Sequence, residues 1–243
     1  MVVSRVSHST RSPFTTVATD VPIRKVLMTP DYETVFTDVD DTIIRGKSLF
    51  GFLDHIAGRE RVLEEILGLL SRGIPRSIVN ATYYERVLTG VPVREVTAAS
   101  AGWFESASRA PGFLKRGVVD FLREQALRGA RLVLLTGSFA ELVAGLERHL
   151  GPFHVIGAPL ECRNGTYTGK LSDAPTIGYG KAKALRKYAA EYNLQLDRCL
   201  GLGDDTSDLE FMELLGTQAI PSDAAPGMLA RARSAGWRIV DVD

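Results

Sequence analysis

A chain of 243 residues that is 45% apolar and 24% charged has enough material for a sizeable core, as one large domain or two small ones. Its 29 basic and 29 acidic residues cancel, so no broad field draws it to nucleic acid or to an anionic membrane, and any anion has to be recognised locally. It has no apolar run of about 18 residues, the length a membrane-spanning helix needs, so neither nucleic acid nor a membrane is an expected partner.

In chain order a leader comes first. Residues 1–19 carry Arg5, Arg11 and many Ser and Thr but no acidic residue. That composition is compatible with an organelle transit peptide, but it lacks the apolar core of a secretory signal, and residues 1–33 are expected to be poorly ordered. Residues 34–39 read as a short buried strand that runs straight into Asp38, Asp40 and Asp41. Unpaired carboxylates at the edge of a core are costly, so something positive is required there. After the turn Arg45-Gly-Lys-Ser48, residues 49–109 show helical spacing without strand alternation, punctuated at Gly73-Ile-Pro75 and Gly90-Val-Pro92. A helical insertion, residues 45–111, is expected to form its own small bundle.

Pro111-Gly112 marks the return, followed by an amphipathic helix through Val118, Phe121 and Leu122. Residues 131–136 read as a buried strand of the parallel type, then Ser138 and Glu141 as a capping box for a helix that reaches Leu150. A strand is expected at 154–157, a hairpin turn at Asn164-Gly165, a helix from Gly180-Lys181, and a buried strand at 198–202. Gly203-Asp-Asp-Thr-Ser-Asp208 follows, with Ser207 and Glu210 as a second capping box, and one more strand–helix–strand unit closes the chain. Cys162 and Cys199 suggest no disulfide framework, which fits a reducing, cytoplasmic setting.

Strands alternating with helices imply a Rossmann-like open parallel α/β sheet with helices on both faces, built from residues 34–44 and 112–243, and ligands bind at the carboxyl ends of such strands. Three stretches meet at that edge: the Asp38 region, Thr136-Gly137-Ser138 and Asp204-Asp205. Five carboxylates there (Asp38, Asp40, Asp204, Asp205, Asp208) would repel one another without a cation. Oxygen ligands with waters suit Mg²⁺. Opposite them, Lys181, the Thr136 hydroxyl and the free N–H groups at Gly137-Ser138 make an anion site. A metal, an anion clamp and a carboxylate nucleophile describe phosphoryl transfer through an aspartyl-phosphate, with Asp38 attacking and Asp40 moving the proton.

The set resembles the haloacid dehalogenase superfamily of aspartate-nucleophile hydrolases, over nearly all of residues 34–240. The matching motifs are Asp38-Val-Asp-Asp-Thr42, Thr136, Lys181 and Gly203-Asp-Asp-Thr-Ser-Asp208. The resemblance implies Mg²⁺ held by Asp38, the Asp40 carbonyl and Asp204 with Asp208 in support, and phosphate held by Thr136 and Lys181. The helical insertion between the first and second motifs is similar to the phosphoserine-phosphatase-like branch, subfamily IB. Asp40 distinguishes the chain from the dehalogenases and ion-pumping ATPases of the superfamily, and points to a phosphatase acting on a small phosphomonoester. Where phosphoserine phosphatases carry a glutamate for the substrate's amino group, this chain has Lys47, which would repel an ammonium; Arg86 stands roughly where they use an insertion arginine. A phosphomutase and a non-catalytic binding protein of the same fold are the alternatives.

Overall fold

The structure is a computed structural model and describes residues 15–17, 30–56 and 60–243. Its strands are β1 (Thr15–Val17), β2 (Thr34–Thr37), β3 (Arg131–Leu135), β4 (Phe153–Ile156), β5 (Leu160–Arg163), β6 (Thr166–Leu171), β7 (Cys199–Leu202), β8 (Thr217–Pro221) and β9 (Arg238–Val240). Seven form one sheet in the order β1-β4-β3-β2-β7-β8-β9. All its neighbours run parallel except β1, which lies antiparallel to β4. β1 departs from the expected leader: Thr15-Thr16-Val17 is a β-branched run, suited to a strand, and it takes up the hydrogen-bonding edge that β4 would otherwise leave open. Residues 1–14 and 18–29 of that leader lie outside the described residues.

The central strands are nearly continuous apolar runs because both faces of the sheet are covered. Along β2, Val35 enters one buried cluster with Val118, Leu122, Leu142 and Leu146, while Phe36 enters another with Leu185, Tyr188, Phe211 and Met212. The first cluster includes helices α5 (Arg116–Leu127), α6 (Ala140–Val143) and α7 (Glu147–Leu150); the second includes α8 (Tyr179–Glu191), α9 (Leu209–Met212) and α10 (Pro226–Ala235). Between β2 and α5 stand the four helices of the insertion: α1 (Ser48–His55), α2 (Glu60–Ser71), α3 (Arg76–Leu88) and α4 (Val93–Ser108). Their interior is aromatic, with Phe52, Tyr83, Tyr84, Trp103 and Phe104 all buried. They join the core through two strands of chain held together, Arg45 N–H donating to the Phe113 carbonyl at 2.8 Å and Lys115 N–H to that of Ile43 at 2.9 Å.

Beside the sheet, β5 and β6 form a hairpin whose turn residues Asn164 and Gly165 both have positive φ, 51° and 75°, as a two-residue primed turn requires. Its outer strand touches the insertion, with Gly90 N–H donating to the Tyr167 carbonyl at 2.9 Å. Both expected capping boxes are replaced. The stretch after β3 is not one helix but α6, a 3-10 turn (Ala144–Leu146) and α7, with Phe139 at the first N-cap. Ser138 is engaged elsewhere, and Glu141 accepts from the Tyr167 hydroxyl at 2.6 Å. After β7 the box is formed by Asp205 and Asp208, two residues earlier than Ser207 and Glu210, because helical structure already begins at Thr206.

Register places the functional edge. Thr37 pairs with Leu134 on one side and Leu202 on the other. Asp38, Thr136 and Asp204 therefore leave three adjacent strands at nearly the same level.

Candidate active site

Asp38 follows β2 directly, its N–H still donating to the Leu202 carbonyl at 2.9 Å. One carboxylate oxygen accepts from Lys181 Nζ at 2.6 Å and the other from the Thr42 hydroxyl at 3.2 Å. Lys181, in the first turn of α8, also reaches Asp208 at 2.6 Å. Thr42 lies 3.0 Å from an Asp204 oxygen as well. Asp208 in turn accepts from the N–H groups of Asp204 and Asp205, both at 3.3 Å, and so fixes the loop after β7.

Asp40 faces away from this group. Ser48 N–H donates to one of its oxygens at 3.0 Å, and the Ser138 hydroxyl lies 3.5 Å from the other, with the two serine hydroxyls 2.5 Å apart. The turn between the two aspartates and α1 depends on Asp41, whose φ of 65° puts it in the left-handed region that Asp tolerates better than most residues. Its carboxylate accepts from Gly46 N–H at 2.7 Å and pairs with Lys47 at 2.7 Å. Its carbonyl receives the buried Lys115, which is also 2.6 Å from Asp223.

Electrostatics separates these groups. Burial, and then the charge of Asp38, raises the Asp40 pKa above the usual carboxylate value, which favours its protonated form. Burial opposes the charge of Lys181, but Asp208 and Asp38 outweigh it, so its pKa lies above the ordinary lysine value. Burial and then the charge of Asp38 push Asp204 up to about 7, and burial raises Asp208 against the pull of Lys181.

Asp38, Asp204 and Asp208 each offer an oxygen within 4.8 Å of the others. Asp38 and Asp208 share Lys181, whereas Asp204 is in no ion pair among the described residues and feels Lys47 only at a distance, too weakly to offset burial and the charge of Asp38. An all-oxygen donor set with excess negative charge fits a hard cation such as Mg²⁺. The Asp40 carboxylate, held by Ser48, is outside this trio; its carbonyl lies 3.4 Å from Lys47 Nζ. Asp205 is the cap of the turn after β7, where its side chain accepts from Ser207 N–H at 2.9 Å.

A cavity of about 230 Å³ opens over these residues, walled by Lys47, Phe50, Leu70 and Val79 of the insertion and by Gly137 and Ile177 of the core. Gly137 and Lys181 line it. Thr136 is fully buried, its hydroxyl accepting from Ser138 N–H at 3.0 Å. Arg86 is a correction: it does not line the cavity, and it pairs with Glu65 at 3.3 Å on the outer side of α3, with 53% of its side chain exposed. The polar α3 residues on the side of the core are Arg76 and Asn80, which line the cavity, and Tyr84, which touches Gly137. Their spacing of four puts them on one helix face. A polar stripe at that spacing is a signal present in the sequence, as is Ser48 at the start of α1; Ser138 and Thr42 gain meaning only from what they touch.

A sequence model of the family described as haloacid dehalogenase-like hydrolase matches residues 35–213. A phosphoserine phosphatase of Mycobacterium tuberculosis is 28% identical over 218 residues, covering 85% of this chain and 70% of that protein. A phosphoserine phosphatase of Streptococcus thermophilus is 30% identical over 183 residues, covering 74% and 79%. Among solved structures, a Bordetella pertussis protein of unknown function superimposes with a TM-score of 0.77 at 22% identity, covering 86% of this chain and 98% of that one, a likeness of fold alone.

Proposed function

The chain belongs to the haloacid dehalogenase-like hydrolases, and on that premise we propose that it is a Mg²⁺-dependent phosphomonoesterase acting on a small phosphorylated molecule through a phosphorylated Asp38. The observation that carries this reading is the pairing of two aspartates in opposite environments. Asp38 accepts hydrogen bonds from Lys181 and Thr42, while burial and then the charge of Asp38 raise the Asp40 pKa and favour its protonated form.

In the first half-reaction an Asp38 oxygen attacks phosphorus, the bond from phosphorus to the leaving oxygen breaks, and Asp40 passes its proton to that oxygen. In the second, Asp40, now ionised, takes a proton from water, whose oxygen attacks phosphorus and breaks its bond to Asp38. Phosphate leaves, Asp38 is a carboxylate again and Asp40 is protonated. Lys181 and the Gly137 N–H supply positive charge on the phosphate side. Asp38, Asp204 and Asp208 would hold Mg²⁺ together with the Asp40 carbonyl, and when bound it neutralises charge on the phosphoryl oxygens.

The cavity of about 230 Å³ under α1–α3 suits a small leaving group. Among the described residues, no helix is long and apolar enough to cross a membrane. Two relatives are named phosphoserine phosphatases. In this chain, however, Lys47 and Arg76 line the cavity, and two cations favour an anionic or neutral polar leaving group over an ammonium.

The test is release of phosphate from p-nitrophenyl phosphate by the purified full chain. Activity should require Mg²⁺, disappear with EDTA and fall by at least about 10³-fold in Asp38→Asn. Near-normal turnover by Asp38→Asn would sink the mechanism.

A further inference from the structure

Two side chains of the insertion end on one atom of the core. The hydroxyl of Tyr84 and Nδ2 of Asn80, one turn apart on α3, both donate to the Gly137 carbonyl, Asn80 at 3.3 Å. The other side of the same peptide is also held, since Ser138 N–H donates to the Thr136 hydroxyl at 3.0 Å. Both faces of the Gly137–Ser138 peptide are therefore fixed, one by the core and one by the insertion. A peptide cannot rotate with both its groups engaged, and on the other side of Gly137 the Thr136 N–H donates to the Ile156 carbonyl at 3.0 Å, so the Gly137 N–H between these two anchors has little room to turn.

The fit is close. A Cβ on Gly137 would stand 3.0 Å from Ile177 and 3.4 Å from Asn80. Tyr84 is 1% exposed, and burial raises its pKa above the usual phenol value, so it remains a hydrogen-bond donor throughout the working pH range. A second contact runs parallel to this one: Ser48, the first residue of α1, meets Ser138 at 2.5 Å and donates to Asp40. The insertion thus reaches both the loop that faces the phosphate and the residue that moves the proton.

We propose that Tyr84 and Asn80 are positioning residues, a latch through which the seated insertion sets the Gly137–Ser138 peptide and so the aim of the Gly137 N–H at the phosphate. This rests on the phosphatase reading of the site. The latch touches no part of the leaving group. Its loss therefore weakens phosphoryl binding by one factor for every substrate, whereas loss of a leaving-group contact weakens some substrates and spares others.

The test uses the full chain with Mg²⁺ and compares wild type with Tyr84→Phe and Asn80→Ala. kcat/KM is measured on p-nitrophenyl phosphate, β-glycerophosphate and phosphoserine, and orthovanadate affinity by titration calorimetry. Tyr84→Phe, which keeps the ring and hence the packing, should lower kcat/KM by about tenfold, equally on all three substrates, and weaken orthovanadate by a similar factor. Asn80→Ala should do the same to a smaller extent. Unchanged orthovanadate affinity in both variants, or a loss confined to one substrate, would overturn the latch. If wild type releases no phosphate from any ester, the phosphatase reading fails, and the orthovanadate comparison still judges the latch by itself.

Discussion

Asp38 and Asp40 lie two residues apart and differ in chemistry because one meets a cation and the other does not. Asp38 accepts from Lys181 and Thr42, whereas the buried Asp40 carboxylate receives only Ser48 and Ser138. Asp40→Asn keeps the hydrogen-bond acceptor but has no acidic proton and cannot serve as base. It should slow turnover by about 10²–10⁴-fold and let phosphorylated protein accumulate, which intact mass spectrometry after acid quench would detect. On the proposed leaving-group side, Lys47 and Arg76 line the cavity. Burial opposes the charge of Lys47, but its hydrogen bond to Asp41 and the charges of Asp41 and Asp204 together outweigh it, so its pKa lies above the ordinary lysine value and its charge persists. Arg76→Gln should lower kcat/KM for a carboxylate-bearing phosphomonoester by about tenfold more than for an uncharged one. An unchanged ratio in a two-substrate comparison would remove Arg76 from selectivity.

At the level of elements, the site depends on where helices begin. Lys181 reaches Asp38 because α8 starts close against the chain before it. A Cβ on Gly180 would lie 1.8 Å from the Pro175 carbonyl oxygen, a backbone atom that cannot swing aside. Gly180→Ala should therefore displace the first turn of α8, costing about 1–3 kcal/mol in a denaturant titration. It should also lower activity more than the stability loss explains, because Lys181 moves with the helix. The loop after β7 shows the same dependence: Asp205 and Asp208 cap its first turn, and this leaves Asp204 directed at Asp38. The insertion is held to the core by the Arg45–Phe113 and Lys115–Ile43 hydrogen bonds and by the hairpin on its flank.

At the scale of the whole molecule, the acidic edge sets how stability responds to pH and metal. The Asp204 pKa rises from 3.8 to about 7 on folding, and that of Asp40 rises too. Between those values the native state binds more protons than the unfolded one, so these groups favour folding at low pH and the contribution is lost as pH rises through about 7. A bound cation reverses the effect, because it needs the ionised carboxylates. Mg²⁺ should thus raise the melting temperature of the full chain, and by more at about pH 8 than at about pH 5.5. A melting temperature indifferent to Mg²⁺ at both values would count against the acidic trio as a metal site.

Much of this was written locally. Buried runs such as Arg131–Leu135 and Cys199–Leu202 announce parallel strands, Asn164-Gly165 announces its turn, the motifs that follow β2 and β7 announce Asp38 and Asp204, and the helix start at Gly180-Lys181 announces Lys181. Their meeting at one edge follows from strand register, which hydrophobic pattern strongly specifies. Local patterns could not say which polar side chain meets which. Ser138 and Ser207 look like helix caps in sequence, but tertiary packing gives Ser138 to Ser48 and Asp40, and an earlier helix start gives the cap to Asp205. Arg86 and Arg76 are both insertion arginines, and only the rotation of α3 against the core sends one to Glu65 and the other to the cavity. The sequence by itself determined the chemistry of the strand ends, because that chemistry is carried by residues adjacent to strands. Only the tertiary structure decided what covers them, because a helix face points wherever its packing turns it.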